Sequence, residues 1–319
     1  MTVSDGRSPA LASATLAVSV AGLALQNPIV LASGTAAYGD ELADVMRLDS
    51  LGALVTKAVS PEPRAGAPAP RVADFPGGMI NAVGLANPGV EAVRETHLPW
   101  LAEHVKRARV IVNVVGKTPD DFPRVVQRLS DSSGAHAFEL NVSCPNVTAG
   151  GTEFGADRAV LSRLVRDARA ATTKPLFVKL SPTLEDIVGA AKAALDAGAD
   201  GLTLVNTLPG LVIDVEHRRP ALGFGTGGVS GPGLLPIGVL ATFKVYRATK
   251  APIIGLGGVA TAQDALQYII AGAAAVGVGT AALRDPRTPE RIVRELGRWF
   301  AAHDVSAISE LSGTLEWPA

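Results

Sequence analysis

The strongest constraint on this chain is an order that repeats: a short apolar run, then a helical stretch, then another run. The runs at 52–57, 110–115, 138–142, 176–180, 201–206, 252–256 and 274–278 are rich in aliphatic and β-branched residues. Amphipathic stretches at 122–129, 159–170, 184–197, 235–249 and 261–271 lie between several of them. A strand with no polar alternation is buried on both faces. When a helix follows each strand, the arrangement expected is a parallel sheet covered on its outer face. So many repeats favour a closed (β/α)8 TIM barrel over an open doubly wound sheet. At 319 residues, 47% of them hydrophobic, the chain suits one such barrel, and residues 1–319 are expected to form a single domain.

Two short runs precede the repeats, at 16–20 and 29–33, and they predict a short N-terminal β-hairpin. The apolar stretch 11–25 could be mistaken for a signal or an anchor. It lacks a basic flank, is broken by Gly22, runs into Gln26-Asn27-Pro28, and falls short of the ~20 residues a spanning helix needs. A cytoplasmic protein is expected. Two linkers, 61–70 rich in Pro and Ala and 208–232 rich in Gly, are long enough to be lids over one end of the barrel.

The polar residues of the strands gather at one end. Lys57, Asn113, Asn141, Lys179, Asn206 and Gly257-Gly258 all fall at or just past the C-terminal end of a run. In a barrel those ends form a single rim, where active sites are built. The glycine loops Gly255-Leu256-Gly257-Gly258 and Gly277-Val278-Gly279-Thr280 end the last two runs. One such loop can be a tight turn and nothing more. Two in tandem, each opening a helix, predict a phosphate site, because backbone N–H groups there approach an anion closely. Ser230-Gly231-Pro232 is a third candidate that could close the cradle. The pattern is not the dinucleotide fingerprint G-x-G-x-x-G.

A lone rim lysine reads as a snorkelling surface residue. Lys57 and Lys179 together, on the rim that carries the glycine loops, fit charge stabilisation of an anionic substrate or a reduced flavin. A lone rim asparagine reads as a turn or cap. Asn81, Asn113, Asn141 and Asn206 together offer the donors and acceptors that a ureide or flavin ring requires. The chain has one cysteine, Cys144, so it can form no internal disulfide and no multi-cysteine cluster. Most lone cysteines are small buried hydrophobes. This one follows a strand in Asn141-Val142-Ser143-Cys144-Pro145-Asn146, ahead of Ala149-Gly150-Gly151, which puts it at the rim as a candidate base. A thiol of reference pKa ~8.5 is thiolate to a small extent at neutral pH, so its work should speed up as pH rises. The five histidines receive no role, and no metal site is expected. With a net charge of -1 and no basic run, the chain is not expected to bind nucleic acid or membrane.

Nearly the whole chain, from Ala32-Ser33-Gly34 to the C-terminal helix, resembles the dihydroorotate dehydrogenases. The pieces that carry the likeness are Asn81-Ala82-Val83-Gly84-Leu85-Ala86-Asn87-Pro88-Gly89, the segment 141–146, Val205-Asn206-Thr207 and the paired glycine loops. Cysteine at the base position is similar to class 1. Glu62-Pro63-Arg64-Ala65-Gly66 and Gly151-Thr152-Glu153-Phe154-Gly155 are similar to the B-type catalytic subunit. The resemblance implies FMN as cofactor and oxidation of dihydroorotate to orotate in pyrimidine biosynthesis. Cys144 would take the C5 proton while hydride passes from C6 to flavin N5. It implies that Lys57, Asn81, Ala82, Val83, Gly84, Leu85, Asn141, Asn206 and Thr207 hold the substrate. FMN would be held by Ser33, Lys57, Ala58, Asn113, Asn141, Lys179, Val205, Gly231, Gly257, Gly258, Gly279 and Thr280. A homodimer core within a heterotetramer is implied, the partner subunit carrying FAD and an iron–sulfur cluster and passing electrons to NAD+. That agrees with a chain whose single cysteine cannot hold such a cluster. Ala36-Ala37, Leu208-Pro209-Gly210-Leu211 and Gly277 depart from the family's usual residues, which bears on lid packing and flavin contacts. Three alternatives stay open: a flavoprotein reducing uracil-like rings, a non-redox barrel binding a sugar phosphate, and a silent binding subunit. Fumarate is the alternative electron acceptor.

Overall fold

The computed structural model describes residues 16–143, 145–146 and 152–318; Cys144, Ala149, Gly150 and Gly151 lie outside the described residues. Eight strands close into a barrel: β1 (Ile29–Leu31), β2 (Ala53–Val55), β3 (Arg109–Val114), β4 (Ala137–Asn141), β5 (Leu176–Leu180), β6 (Gly201–Leu204), β7 (Ile253–Leu256) and β8 (Ala275–Val278). Each pairs in parallel with the next in chain order, and β8 closes on β1 with Gly277 level with Val30 and Val278 with Leu31. Helices α1 (Asp40–Ala43), α2 (Leu98–His104), α3 (Asp121–Leu129), α4 (Arg158–Ala170), α5 (Ile187–Asp196), α6 (Leu235–Thr249), α7 (Ala262–Ala271) and α8 (Thr288–Ala302) follow the strands in turn. The seven runs read from the sequence fall on β2 to β8, differing by a residue or two at their ends.

The strands look uniformly apolar because both faces are buried against different partners. Val30, Ala53, Val55, Ile111, Ala137, Phe177, Ile254 and Ala275 pack together inside the barrel. Their neighbours Leu31, Leu54, Val110, Val112, Leu140, Val178, Leu202 and Val276 pack outward under the helices. Helix α3 shows how that outer layer forms. It buries Phe122, Val125, Val126 and Leu129, the i, i+3, i+4, i+7 stripe of an amphipathic helix. Local signals start the helices: Asp157 caps α4 by accepting from the N–H groups of Ala159 (2.9 Å) and Val160 (3.1 Å). Thr261 and Asp264 form a reciprocal capping box at α7.

The expected N-terminal hairpin is present, and its arms are Val18–Val20 and Leu23–Leu25. The run at 29–33 serves instead as the first barrel strand. Val20, Leu23 and Leu25 join the inner apolar cluster, so the hairpin plugs one end of the barrel. Over the opposite end lies a four-stranded antiparallel sheet. Its strands, in spatial order, are Leu208–Gly210, Gly227–Ser230, Gly78–Asn81 and Val72–Phe75. The 208–232 linker therefore becomes paired strands, with a small hairpin of Ile213–Asp214 and Arg219–Pro220 at its tip. The 61–70 linker is bonded to the segment that follows Gly78–Asn81, Arg64 N–H to Asn87 O at 2.9 Å and Ala67 N–H to Val83 O at 3.1 Å. Among the described residues no helix is long and apolar enough to cross a membrane.

Candidate active site

Moving along the inner face of the barrel two residues at a time, the side chains change from apolar to polar. Ile111 gives way to Asn113 on β3, Ala137 to Glu139 and Asn141 on β4, and Phe177 to Lys179 on β5. The period-2 geometry of a strand puts these residues in one column each, so the apolar plug becomes the floor of a polar site. Asn113 and Glu139 are level in the β3–β4 ladder, and Lys179 is level with Asn141 on one side and Thr203 on the other.

Glu139 is 1% exposed. Its Oε1 accepts from Asn113 Nδ2 at 2.6 Å and its Oε2 from Thr203 Oγ1 at 2.7 Å. Asn113 is fully buried, and its Oδ1 has no hydrogen-bond partner among the described residues. Its backbone N–H donates to Thr56 Oγ1 at 3.2 Å, and that hydroxyl donates to the carbonyl of Lys57. Lys179 is buried, and its described hydrogen-bond partner is Ser33 Oγ at 3.1 Å. A buried ammonium held by one neutral hydroxyl has room to favour an anion.

A second network sits one step further out. Asn141 Oδ1 accepts from Ser143 Oγ at 2.9 Å and from Asn206 Nδ2 at 3.3 Å, and Asn206 also donates to Ser143 Oγ. Asn206 Oδ1 accepts the backbone N–H of Thr207 at 2.8 Å. With the Asn141 carbonyl taken, its Nδ2 remains as a donor. The lid meets this network at Thr207. A Cβ on Gly228 would lie 2.2 Å from Thr207 Oγ1, so only glycine lets the lid strand approach this closely. Gly228 is level with Asn81, which donates through Nδ2 to the Gly228 carbonyl at 3.3 Å. Beyond Asn81 the segment to Leu85 is pinned by Ala82 N–H on Arg71 O, and by Asn87 Nδ2 on Leu85 O at 2.8 Å.

The glycine loops occupy the turns after β7 and β8. The Gly257 carbonyl accepts from the hydroxyl of buried Tyr268 at 2.8 Å. Gly258 adopts φ +75, and a Cβ there would stand 2.5 Å from the backbone nitrogen of Leu235, the first residue of α6. Thr280 Oγ1 donates to Ser230 Oγ at 2.8 Å, linking the β8 turn to Ser230-Gly231 at the end of the lid strand. Among the described residues, a Cβ on Gly279 would find only Ala32 Cβ within 4 Å, at 3.6 Å. Three backbone turns that approach one another with space left beside Gly279 fit a phosphate-bearing tail. The orphaned Asn113 carbonyl and the Lys179 ammonium fit the polar edge of a planar ring.

The sequence-predicted residues are thus connected in three groups. Asn113 and the Lys57 backbone are joined through Thr56, Lys179 and Ser33 are joined to each other, and Asn81, Asn141, Asn206 and Thr207 gather where the lid meets the rim. Ala58 and Val205 contribute backbone contacts, Ala58 O accepting from Tyr38 Oη and Val205 N–H donating to Leu256 O. Among the described residues no side chain hydrogen-bonds the Lys57 ammonium. Sequence reasoning missed Glu139, Thr203, Ser143 and Tyr268. The signal for Glu139 was available: a charged residue in the middle of a strand, between Phe138 and Leu140. It also missed Glu153, which is level with Pro145 in a two-residue ladder and accepts from Ser181 Oγ at 2.9 Å and Thr183 Oγ1 at 3.2 Å. Burial raises the Glu153 carboxyl above its ordinary range, against the lowering effect of those two bonds. Cys144 itself is outside the described residues. No group of three or more His, Cys, Asp or Glu able to hold a metal occurs among the described residues.

Comparison with known proteins points in one direction. The family model described as dihydroorotate dehydrogenase matches residues 15–300. The dihydroorotate dehydrogenase B (NAD(+)), catalytic subunit, of Geobacter sp. (strain M21) is 46% identical over 301 residues, covering 94% of this chain and 98% of that protein. The protein of the same description from Desulforudis audaxviator (strain MP104C) is 48% identical over 297 residues, covering 93% and 96%. That from Geobacillus kaustophilus (strain HTA426) is 46% identical over 298 residues, covering 93% and 95%.

Proposed function

This chain belongs to the dihydroorotate dehydrogenase family, and we propose that it is the catalytic subunit of an NAD-linked enzyme that oxidises dihydroorotate to orotate with FMN, the whole chain serving as one FMN-binding domain. The observation that carries this reading is the pair of locked amides. Asn113 offers an acceptor and Asn141 a donor, because Glu139 takes the amide NH2 of the first and Ser143 with Asn206 the carbonyl of the second. A ureide or flavin ring, with N–H and C=O groups along its edge, is the complement to that arrangement.

Bound FMN supplies a two-electron acceptor for the C6–H bond of the substrate. The rest of the work falls to this chain. Cys144, as thiolate, takes the C5 proton, so C–H cleavage on two adjacent carbons leaves the ring double bond. Asn141, Asn206 and Thr207 orient the substrate ring, and the backbone from Asn81 to Leu85 receives its carboxylate. Lys57 and Lys179 bring positive charge to a site that becomes more negative as the reaction proceeds. Ser33, Ala58, Val205, Gly231, Gly257, Gly258, Gly279 and Thr280 shape the FMN cradle. The lid sheet keeps water away from the substrate ring. Electrons leave to a partner subunit that delivers them to NAD+; the name "catalytic subunit" of the relatives supports a partner of this kind.

The test is spectroscopic. Purified protein supplied with FMN should retain it, and anaerobic dihydroorotate should bleach its visible absorbance. A protein that takes up no flavin, or whose flavin is untouched by dihydroorotate, would overturn the proposal. NAD+ reduction that appears only with a co-purifying subunit supports the partner. Turnover with fumarate by the chain alone would replace that route.

A further inference from the structure

Glu139 is a carboxylate inside the barrel, between the apolar plug and the proposed ring site, and the mechanism above gives it no step. Its surroundings assign it one task. An ionised carboxylate accepts hydrogen bonds and donates none. Both of its oxygens act as acceptors, Oε2 from Thr203 Oγ1 and Oε1 from Asn113 Nδ2. The Asn113 amide therefore has one permitted orientation, NH2 toward Glu139 and carbonyl away from it. That carbonyl is the buried Oδ1, which has no partner among the described residues. A buried acceptor without a donor is unfavourable, and a ligand N–H that reaches it relieves the penalty.

We propose that Glu139, steadied by Thr203, is a positioning residue that holds the Asn113 carbonyl ready for a ring N–H of the bound flavin. This rests on the flavin reading above. An oxidised flavin ring carries a single N–H, on N3, so the inference commits to that group. A carboxylate is the right choice for the task because its charge strengthens the bond to the amide and forbids the flipped orientation.

The experiment compares FMN with FMN methylated at N3, titrated into apoprotein and followed by quenching of flavin fluorescence, with apoprotein thermal unfolding measured in parallel. Wild type should bind the methylated flavin at least about tenfold more weakly than FMN, the worth of one buried hydrogen bond and its unpaired carbonyl. Glu139→Leu leaves the Asn113 amide and the Thr203 hydroxyl without their acceptor, so the apoprotein should lose some stability. Its FMN affinity should fall about tenfold, and its preference for FMN over the methylated flavin should shrink, which a loss of stability alone does not produce. Glu139→Gln keeps an oxygen for Asn113 and should stay within about threefold of wild type, since one neutral acceptor replaces a charged one. Asn113→Ala deletes the carbonyl and should lose the preference whatever happens to Glu139→Leu.

Wild type binding both flavins alike, or Asn113→Ala retaining the preference, would overturn the inference. So would a Glu139→Leu protein whose losses on the two flavins are equal and track a loss of apoprotein stability, since that marks a purely structural residue. A wild type that binds neither flavin is a different result; it removes the flavin reading itself.

Discussion

The turn after β7 allows a direct calculation. Replacing Gly258 with alanine has two separable effects. The residue sits at φ +75, where an L side chain costs about 1–2 kcal/mol. Its new Cβ would also stand 2.5 Å from Leu235 N, 2.8 Å from Leu235 Cβ and 2.9 Å from Leu235 Cα. Leu235 opens a fifteen-residue helix, so it cannot move alone, and forced overpacking of this kind costs about 1–3 kcal/mol. The sum is about 2–5 kcal/mol. Because the clash drives the β7 turn and α6 apart, the expected consequences are lower apoprotein stability and at least tenfold weaker FMN binding, a tenfold change being about 1.4 kcal/mol. Gly22 is the control. It sits at φ +79 in the N-terminal hairpin turn, with no atom of the described residues within 4 Å of a Cβ. Gly22→Ala should show the backbone effect without the clash and leave FMN binding alone. Denaturant unfolding of both apoproteins, with FMN titrations, measures the difference. If Gly258→Ala destabilises no more than Gly22→Ala, close packing on Leu235 is not the reason for glycine here.

Other variants test the chemistry, the electrostatics and the core. Cys144→Ala should keep bound FMN and slow its reduction by dihydroorotate by roughly 10²–10⁴-fold, the range for removing a general base; wild-type speed in stopped-flow absorbance would remove Cys144 from that role. The Glu153 carboxyl is raised by burial above its ordinary value of 4.5. Between that value and the folded one, the native state holds more protons than the unfolded chain. Its contribution therefore lowers stability as pH rises through that window. Glu153→Gln should flatten this slope and be the more stable protein above it, as read by urea unfolding across pH; identical slopes would refute it. Phe177→Ala should lose about 3–5 kcal/mol of stability in denaturant, because the ring is fully buried at the centre of the inner cluster. A loss under about 1 kcal/mol would mean that the cavity collapses without harm.

Some of this site could be read from local pattern and some could not. The runs at 110–115, 138–142 and 176–180 announced strands, and Asn113, Asn141 and Lys179 stood out because each is a polar residue near an apolar run's end. Glu139 carried the same kind of signal one residue pair earlier. Its role is not legible locally, because a charge inside a strand looks like an outward residue until the partner strands are known. The lid was visible only as length and glycine content. Its pairing of Gly227–Ser230 with Gly78–Asn81 joins segments about 150 residues apart, and nothing in either segment names the other.

Sequence by itself determined the period: strand then helix, repeated, with the polar and glycine residues at one end of each strand. That follows because local burial sets local hydrophobicity, and a barrel makes the same demand at every repeat. Tertiary structure alone decided which strands meet. It placed 29–31 between β8 and β2 rather than in the hairpin, and gathered the lid from distant segments. It also turned two asparagine amides to opposite uses, through Glu139 in one case and through Ser143 and Asn206 in the other. Those choices depend on hydrogen-bond partners brought near by barrel closure, and a hydrogen bond's direction belongs to the pair rather than to either residue.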